Sequence, residues 1–388
     1  MVGSEMPKGW DKVKLLDIAD LSTGKVDANH STEDGLYPFF TCASEPMKSP
    51  DYSFDDESVI VPGNGANVGC VLYYNGKFQA YQRTYVLSNI KIVPKYLYYH
   101  FLRYWKERTE NNQFGSATNY VKLINFANYI VDMPSLTEQK QIAEKLDKLF
   151  DQIETIKEAS NKIPELLKNF RQQVLTYAVT GKLIESTPEP RMLGELIDEL
   201  KYGTSKKADY DIEGFPVLRI PNINNGEIDS SDLKYVPLDD KEYNQLSLQE
   251  GDILVIRSNG SLSIVGQCAI VRKECENWVY AGYLIRIRCT HKLLPEYLNY
   301  IFQSYQVRKQ IVEKSHSMSG VNNFSADKIK QLEIAWYPVE VQKQIVEKLN
   351  SIFGKLNEIE KQYNTLCEKL DKLPQTLLCK AFKGELNR

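Results

Sequence analysis

The sequence predicts an α+β protein in which two similar globular domains are separated by two long antiparallel helices that form a coiled coil. Three observations lead to this prediction: a gap-free internal repeat, a heptad pattern inside each copy, and looser matches between the regions in front of the copies. Antiparallel packing of the two helices would relate the halves by a pseudo-two-fold axis. The expected parts are a first domain (1–136), a first helical spacer (137–184), a linker (185–192), a second domain (193–338) and a second helical spacer (339–388).

The clearest observation is a repeat with a constant offset of 203 residues. The segment 139–183 matches the segment 342–386 without a gap, and 17 of the 45 aligned positions are identical. Unrelated segments of this length would share about three residues by chance. The two segments are therefore copies of one unit.

Each copy contains apolar side chains at alternating steps of four and three residues, which is the spacing of a coiled-coil seam. In the first copy, with Ser160 as a polar interruption, the seam is Ile142, Leu146, Leu149, Ile153, Ile156, Ile163, Leu167, Phe170 and Val174. In the second copy, interrupted by Tyr363, it is Ile345, Leu349, Ile352, Leu356, Ile359, Leu366, Leu370, Leu373 and Leu377. Each copy predicts a long helix. The alternative is a core helix of an ordinary bundle, and a helix pair is favoured because each copy supplies one partner.

Residues of the types that start and stop helices flank both copies. Ser135 and Glu138 form a Ser-x-x-Glu capping box before the first helix, whereas the second copy begins after Pro338 without such a box. Both copies end on a glycine, Gly181 and Gly384, where a left-handed cap is expected.

Two prolines lie inside the heptad patterns. Proline cannot donate the backbone hydrogen bond that a helix interior needs, and its ring crowds the preceding turn. We therefore expect a kink or a break at Pro164 in the first helix and at Pro374 in the second.

The regions in front of the two copies match more loosely but in the same order. The matching stretches are 13–18 with 193–198, the strand and loop 58–65 with 252–260, and the helix-like 94–99 with 295–300. Short β-branched and aromatic runs bounded by Gly, Asn and Pro predict strands, and the stretches 96–105 and 297–305 predict helices. Two α+β domains of one fold are therefore expected. The linker between the halves contains Pro188 and Pro190 and no periodic pattern.

Bulk composition narrows the function classes. The net charge is −3, with 48 Lys and Arg against 51 Asp and Glu, so any DNA binding must be local. Seven cysteines without a C-x-x-C pair and four histidines far apart give no metal-site spacing, and no metal is expected. Without a run of about 18 apolar residues or a signal-like leader, the protein is expected to be cytoplasmic.

Catalytic motifs are not found in the sequence. The nearest to a phosphate-binding loop is the Gly-Asn-Gly run 63–65, which a turn explains. Asp55, Asp56 and Glu57 could imitate the metal cluster of a nuclease, but a solvated turn before a strand is the favoured interpretation. We therefore expect a chain that is not an enzyme.

The chain resembles the specificity subunit of Type I restriction-modification systems over essentially its full length. The resemblance rests on the order of the domains and on two duplicated motifs, one at the start of each helix and one at its end. The start motif is Pro134, Glu138, Gln139 and Ile142 in the first copy and Pro338, Gln342 and Ile345 in the second. The end motif is Ala178, Gly181 and Leu183, and again Ala381, Gly384 and Leu386. Val341 departs from the pattern, because the family has Glu at that position.

This resemblance implies that each globular domain is a target recognition domain reading one half of a bipartite, asymmetric DNA site. It implies that the helices set the fixed non-specific spacer and dock two modification (methyltransferase) subunits. Restriction/translocase subunits complete such a complex, which methylates adenine and restricts foreign DNA in phage defence. The chain itself would bind no cofactor, and S-adenosylmethionine, ATP and Mg would be held by the partner subunits.

Candidate DNA contacts are Arg, Asn, Gln, Ser and Thr side chains at turns for base edges, and Lys and Arg for phosphates. In the first domain they are Asn64, Asn67, Gln82, Arg83, Thr84, Ser116, Thr118, Asn119 and Tyr120. In the second domain they are Lys206, Lys207, Arg219, Asn222, Asn224, Arg257, Ser258, Asn259, Ser317, Ser319, Asn322 and Asn323. Arg83 and Arg257 are preferred. Tyr81, Tyr85, Tyr280 and Tyr283 could stack or contact the DNA backbone.

Each of these candidates has a structural alternative. Asn-Gly and Ser-Gly clusters are also typical of turns, an Arg beside a strand often serves as an ion-pair partner, and Lys206 and Lys207 would suit a solvated loop. The rival function for the whole chain is a coiled-coil scaffold that binds only protein. Salt-dependent, sequence-selective DNA binding in the presence of a methyltransferase subunit distinguishes the two functions.

Overall fold

The computed structural model describes residues 7–43, 45–65, 67–109, 120–315 and 322–386. The chain divides into two compact units, one of Met1–Asn161 with Asn364–Arg388 and one of Lys162–Tyr363. These units differ from the expected parts, because the helical spacers do not separate from the globular domains. Each unit instead contains one globular domain and segments of both copies of the repeat.

The first globular domain is built on a six-stranded sheet and a separate pair of strands. The eight strands of the domain are β1 (Asp11–Lys14), β2 (Asp20–Thr23), β3 (Tyr37–Phe40), β4 (Met47–Ser49), β5 (Phe54–Pro62), β6 (Leu72–Ala80), β7 (Thr84–Ser88) and β8 (Ile130–Met133). Its helices are α1 (Leu15–Ile18), α2 (Pro94–Thr109) and α3 (Leu123–Ala127). The sheet order is β2-β7-β5-β6-β3-β4, with β3 parallel to β6, and β1 pairs separately with β8. The apolar residues at the end of β5 are fully buried, which places this strand at the core.

The first spacer consists of two helices, α4 (Leu136–Ser160) and α5 (Ile163–Val179). The expected break at Pro164 is confirmed, because the helix stops just before this proline and a new helix starts with it in its first turn. A proline fits there because the first turn needs no backbone donor at that position.

The second globular domain has smaller sheets. Its strands are β9 (Glu189–Met192), β10 (Ile197–Tyr202), β11 (Phe215–Leu218), β12 (Ile223–Asn224), β13 (Glu227–Ile228), β14 (Lys234–Val236), β15 (Ile253–Ile256), β16 (Ser258–Asn259), β17 (Cys268–Ile270), β18 (Val279–Tyr280), β19 (Leu284–Cys289), β20 (Asn322–Asn323) and β21 (Glu333–Trp336). Its helices are α6 (Asp240–Leu246), α7 (Pro295–Phe302), α8 (Tyr305–Ser315) and α9 (Ala326–Lys330). Part of the expected linker is therefore strand β9, which pairs with β21.

The second spacer is a single helix, α10 (Val339–Ala381), with Pro374 inside it. The helix does not break at Pro374, since it continues through this residue; a kink, the other expected outcome, stays a prediction. Both glycine caps are confirmed, with φ of +80° at Gly181 and +70° at Gly384. A backbone N–H after each glycine closes the helix end. Leu183 N–H donates to the carbonyl of Tyr177 at 3.1 Å, and Glu385 N–H donates to the carbonyl of Lys380 at 2.9 Å.

The predicted capping box at the first spacer is formed in part. The Ser135 hydroxyl accepts from the backbone N–H of Glu138 at 3.3 Å. The carboxylate of Glu138 accepts from the indole N–H of Trp10 at 3.2 Å. Glu138 therefore ties the helix start to the globular domain.

The two domains share one topology, as expected. The order β2-β7-β5-β6 in the first domain corresponds to β10-β19-β15-β17 in the second, and β6-β3-β4 corresponds to β18-β11-β14. The nine-residue strand β6 is replaced by two short strands because a 3-10 helix, Lys273–Cys275, interrupts the chain. This interruption explains why the second domain has two sheets where the first has one.

One of the expected matches is shifted. Leu15 N–H donates to the carbonyl of Tyr129, and Leu193 N–H donates to the carbonyl of Leu332, so Leu15 and Leu193 are equivalent. The sequence match placed Val13 opposite Leu193, two residues away. Both regions contain several leucines and isoleucines, so the apolar pattern alone fits either register.

In the first unit, helix α4 packs against the end of α10. The core contains Ile142 and Leu146 from α4 together with Leu378, Ala381 and Phe382 from the second copy. The Lys157 ammonium lies 3.1 Å from the Asp371 carboxylate, and the Lys145 ammonium donates to the carbonyl of Leu386. The later residue of α4, Lys157, contacts the earlier residue of the second copy, Asp371, so the two segments run antiparallel.

The second unit repeats this packing with the copies exchanged. Its core contains Val174 and Ala178 from α5 together with Ile345 and Leu349 from α10. The Arg171 guanidinium lies 3.8 Å from the Glu360 carboxylate, and Lys348 donates to the carbonyl of Leu183 at 3.1 Å. These segments are antiparallel as well.

Phe382 fills an aromatic pocket in the first unit. Its ring lies 5.5 Å from the ring of Tyr96, 5.3 Å from His100 and 5.6 Å from Tyr104, measured between centroids. Burial lowers the pKa of His100 to about 4, so the imidazole is neutral at pH 7. Its Nε2 accepts from the backbone N–H of Asp132 at 3.2 Å. Phe382 therefore packs against an uncharged imidazole, and its pocket contains no buried charge at His100.

A buried glutamine joins each spacer to its domain. The Gln139 side chain accepts from the backbone N–H of Val93 at 3.2 Å and donates to the carbonyl of Pro134 at 2.9 Å. Gln342 accepts from the N–H of Leu294 at 2.8 Å and donates to the carbonyl of Tyr337. Val93 and Leu294 each precede the proline that starts α2 or α7. The repeated Gln therefore links the spacer to the start of a domain helix, and this explains its place in the motif.

Replacing Gln139 or Gln342 with alanine should lower the free energy of unfolding by about 2 to 4 kcal/mol, because two buried backbone groups lose their partners. Urea denaturation of the full chain measures this. Gln141 and Gln344, the exposed residues two positions later in each copy, are the matched controls and should change stability by less than about 0.5 kcal/mol. Equal losses at buried and exposed positions would contradict the assigned role.

Candidate nucleic-acid interface

The first domain has a cleft at one end of its sheet, where β5, the turn between β6 and β7, and the residues before α3 meet. Its volume is about 370 Å³. The lining residues are Thr23, Gly63, Asn64, Gln82, Arg83, Tyr85, Tyr120 and Val121. Four of them, Asn64, Gln82, Arg83 and Tyr120, are predicted DNA contacts that the fold brings together from three separate segments.

The second domain has a larger cleft of about 660 Å³. The lining residues are Thr204, Ser205, Lys206, Lys207, Ala208, Val217, Arg219, Ile220, Pro221, Lys234, Arg257, Ser258, Ala281, Gly282 and Tyr283. Five of them, Lys206, Lys207, Arg219, Arg257 and Ser258, are predicted contacts. They come from the loop after β10, the end of β11 and the end of β15.

Backbone hydrogen bonds show that the two clefts occupy equivalent positions. Gly63 N–H donates to the carbonyl of Arg83 at 2.9 Å, and Arg257 N–H donates to the carbonyl of Tyr283 at the same distance. On the other side, the carbonyls of Gly63 and Arg257 accept from the N–H groups of residues 121 and 324. Position 63 therefore corresponds to 257, and position 83 to 283.

The turn between β6 and β7 presents its side chains to the first cleft. Gln82 and Arg83 are both exposed, while Thr84 is buried at the start of β7. Within the described part of the chain, the Arg83 guanidinium has no hydrogen-bond or ion-pair partner. Arg83 is thus available for an external ligand.

The cations of the second cleft are held in different ways. The Arg219 guanidinium donates to the Asp232 carboxylate at 2.9 Å, and Lys206 pairs with Glu242. The Arg257 guanidinium stacks over the Tyr202 ring, 4.6 Å from its centroid. Arg219 therefore has the ion-pair role that the sequence offered as an alternative, whereas Arg257 has no carboxylate partner among the described residues.

Several predicted contacts have structural hydrogen bonds instead. Asn222 is buried, where its side-chain oxygen accepts from Arg219 N–H at 2.8 Å. Asn67 donates to the carbonyl of Cys42 at 2.8 Å, Asn259 accepts from Ser261 N–H at 2.9 Å, and the buried Asn322 donates to the carbonyl of Gly260 at 3.0 Å. For these amides the geometry favours turn chemistry over DNA contact.

The remaining predicted contacts are placed as follows. Asn224 and Asn323 are exposed in β12 and β20 and line neither cleft. Five further candidates lie outside the described residues, namely Ser116, Thr118, Asn119, Ser317 and Ser319.

Sequence reasoning missed Thr23 and Lys234. Lys234 lies in the short strand β14, and its ammonium is 4.6 Å from the centroid of the Tyr210 ring. No local pattern marks it, because it reaches the cleft only through the pairing of β14 with β11. Tyr283, suggested as a stacking residue, is exposed and lines the second cleft.

A third cleft, of about 550 Å³, lies in the first domain between α2, α3 and β8. It includes the cations Lys12 and Arg108 and the carboxylate of Asp132, which lies 3.4 Å from the Arg108 guanidinium. The Asp132 carboxylate neutralises one of the two cations, so this cleft is less cationic than the second-domain cleft.

The sequence suggested that the acidic run at 55–57 lies in a turn, and this interpretation is wrong. The run lies within β5 and pairs with β6, and the Asp56 carboxylate accepts from Asn89 N–H at 2.7 Å. In the described ranges, no group of three or more His, Cys, Asp and Glu side chains is arranged to hold a metal ion. None of the described helices is long and apolar enough to cross a lipid bilayer.

Sequence comparison identifies the family. The family model for the Type I restriction modification DNA specificity domain matches residues 7–165 and 186–369. The Type I restriction enzyme EcoKI specificity subunit of Escherichia coli (strain K12) is 36% identical over 282 residues, covering 70% of this chain and 61% of that protein. The Type I restriction enzyme EcoDI specificity subunit of Escherichia coli is 30% identical over 414 residues, covering 100% of this chain and 90% of that protein.

Solved structures show the same fold. A chain from a study of complex assembly and conformational transition of the type I R-M system has a TM-score of 0.75 at 17% identity, covering 98% of this chain and 100% of that chain. The HsdS subunit from Thermoanaerobacter tengcongensis has a TM-score of 0.66 at 15% identity, covering 99% of each chain. At this low identity the structures support the fold alone, whereas the family model spans most of the sequence. The chain belongs to the Type I restriction modification DNA specificity family.

Proposed function

We propose that this chain is the DNA sequence-recognition subunit of a Type I restriction-modification complex. It reads a bipartite, asymmetric site with a fixed non-specific spacer, and it directs adenine methylation and restriction by its partner subunits. The proposal rests on family membership and on the presence of two equivalent clefts in two domains of one topology.

The observation that supports an asymmetric site most directly is the difference between the cleft linings. At equivalent positions the first domain has Gln82 and Arg83, and the second has Gly282 and Tyr283. Arg suits guanine, Gln suits adenine, and neither Gly nor Tyr can form those bidentate contacts. Two domains with one backbone and different contact groups would read different half-sites.

The chemistry of the complex is assigned to other subunits. The chain offers no recognisable catalytic motif, and S-adenosylmethionine, ATP and Mg are expected on the methyltransferase and restriction subunits. The role of this chain is to position DNA, which needs shape and hydrogen-bond donors but no reacting group. Isolated chain supplied with S-adenosylmethionine should therefore leave DNA unmethylated.

Helix α5 offers a surface for a modification subunit. Leu166, Phe170 and Tyr177 lie on one side of the helix and are 63%, 47% and 38% exposed. These positions are spaced by four and seven residues, so they form an apolar stripe. A stripe of this kind on a solvent-exposed helix is typical of a protein interface. We infer that two modification subunits bind the spacer helices and that this stripe contacts one of them.

Deleting the gene in its host should abolish one bipartite adenine-methylation motif, because no other subunit would then position the methyltransferase. Genome-wide mapping of modified adenines, with and without the gene, measures this. Complementation with Arg83→Gln should restore methylation with relaxed sequence at one half of the motif only. Lys48→Gln, at an exposed site in β4 outside the cleft, is the control and should restore the original motif.

An unchanged methylation pattern after deletion would refute the recognition function and favour the alternative, a coiled-coil scaffold that binds only protein.

The double variant Leu166→Ser with Phe170→Ser should weaken binding of the modification subunit at least about tenfold, because two large apolar side chains leave the interface. Sedimentation or biolayer interferometry with purified modification subunit measures the affinity. The control Glu165→Ser with Asn169→Ser changes exposed residues at the same spacing on the same helix. Equal affinity of both variants would show that the stripe is not the docking surface.

A further inference from the structure

The second-domain cleft is lined by five cationic side chains. They are Lys206, Lys207, Arg219, Lys234 and Arg257, and among the described residues the lining contains no Asp or Glu. Of the described residues that line the equivalent first-domain cleft, Arg83 is the single cationic one. Two clefts at the same place in one topology therefore differ strongly in charge.

Neighbouring carboxylates neutralise only two of these cations. Lys206 pairs with Glu242 and Arg219 with Asp232. Among the described residues, no carboxylate lies within ion-pair distance of the other three, Lys207, Lys234 and Arg257.

Aromatic faces contact two of these three cations. The Lys234 ammonium lies 4.6 Å from the ring centroid of Tyr210, and the Arg257 guanidinium lies 4.6 Å from that of Tyr202. A cation over an aromatic ring keeps its full charge and its remaining donors. The cleft therefore combines positive charge with unused donors, which is the chemistry that binds phosphate.

The first-domain cleft has a different chemistry. Apart from Arg83, its polar side chains are neutral, and they include the exposed Gln82 and the half-buried Asn64. Amide side chains pair donors and acceptors with base edges, whereas a phosphate offers acceptors only. This lining suits the edge of a base pair.

We propose that the two equivalent clefts bind DNA by different chemistry, the second-domain cleft holding backbone phosphates through Lys207, Lys234 and Arg257, and the first-domain cleft contacting a base edge through Gln82 and Arg83. This inference rests on the proposed function. It assigns most of the salt-dependent affinity to the second domain. The cationic cleft then contributes no base discrimination itself, and the second half-site is read by residues of the second domain outside this cleft.

The test uses the full chain assembled with its modification subunits and two DNA duplexes, one with the mapped methylation motif and one with both halves scrambled. Dissociation constants are measured between about 50 and 200 mM NaCl. The triple variant Lys207→Gln, Lys234→Gln, Arg257→Gln should reduce the slope of log Kd against log salt by about 2 to 3, since each phosphate contact contributes about 0.9. Its affinity should fall by the same factor for both duplexes.

The first-domain variant Gln82→Ala with Arg83→Gln should change the slope by about 1 or less, because it removes one charge. It should instead lose discrimination against substitutions in one half of the motif. The off-cleft triple variant Lys292→Gln, Lys309→Gln, Lys330→Gln removes the same charge from exposed positions of the second unit and should leave the slope within about 0.5 of the original.

A triple cleft variant with an unchanged slope would overturn the proposal, and so would one that lost discrimination between the two duplexes. Because Arg257 is half-buried, the pair Lys207→Gln, Lys234→Gln is measured as well and should reduce the slope by about 2. If the unaltered complex bound both duplexes equally, the proposed function itself would fail and this inference with it. If the unaltered complex discriminated between the two duplexes but the triple variant had the same slope as the unaltered complex, only the inference would be refuted.

Discussion

Antiparallel packing between the start of one repeat copy and the end of the other is the interaction on which both compact units depend. In the first unit Phe382, from the end of the second copy, fills a pocket formed by Tyr96, His100 and Tyr104. Val179 is at the equivalent position of the other copy and belongs to the core of the second unit. Each core is completed by helix residues from both copies of the repeat, such as Ile142 and Leu378 in the first unit and Val174 and Ile345 in the second. The duplication is therefore a structural requirement, because each copy must supply a start to one unit and an end to the other.

This requirement explains why the two copies have diverged less than the loops. A spacer residue such as Gln139 or Gln342 must accept a hydrogen bond at the start of a domain helix and donate one to a preceding carbonyl, and it must do both from its position in the spacer helix. A cleft residue such as Arg83 or Tyr283 needs only a backbone position, since its side chain points away from the core. Changes at the clefts are therefore compatible with the fold. The two clefts have come to differ in charge and size while the hydrogen bonds beneath them are the same.

The sequence predicted what depends on local pattern. Heptad spacing, the glycine caps and the break at Pro164 were all predictable, because each follows from the chemistry of neighbouring residues. Pro374 did not break its helix, since packing of the surrounding turns outweighs one lost backbone bond. The exchange of segments between copies was not predictable, because it depends on which surfaces meet. The same holds for Lys234, which reaches its cleft through strand pairing, and for Asn222, whose side-chain amide forms hydrogen bonds within its own loop.

Hydrogen exchange tests the exchanged packing most directly. A chain ending at residue 376 lacks the end of the second copy that contributes Leu378, Ala381 and Phe382 to the first unit. Compared with the full chain, its backbone amides in β5 and α2 should lose protection, while those in β15 and β19 of the second unit should keep it. Unchanged protection in β5 and α2, or equal loss in β15 and β19, would contradict the account.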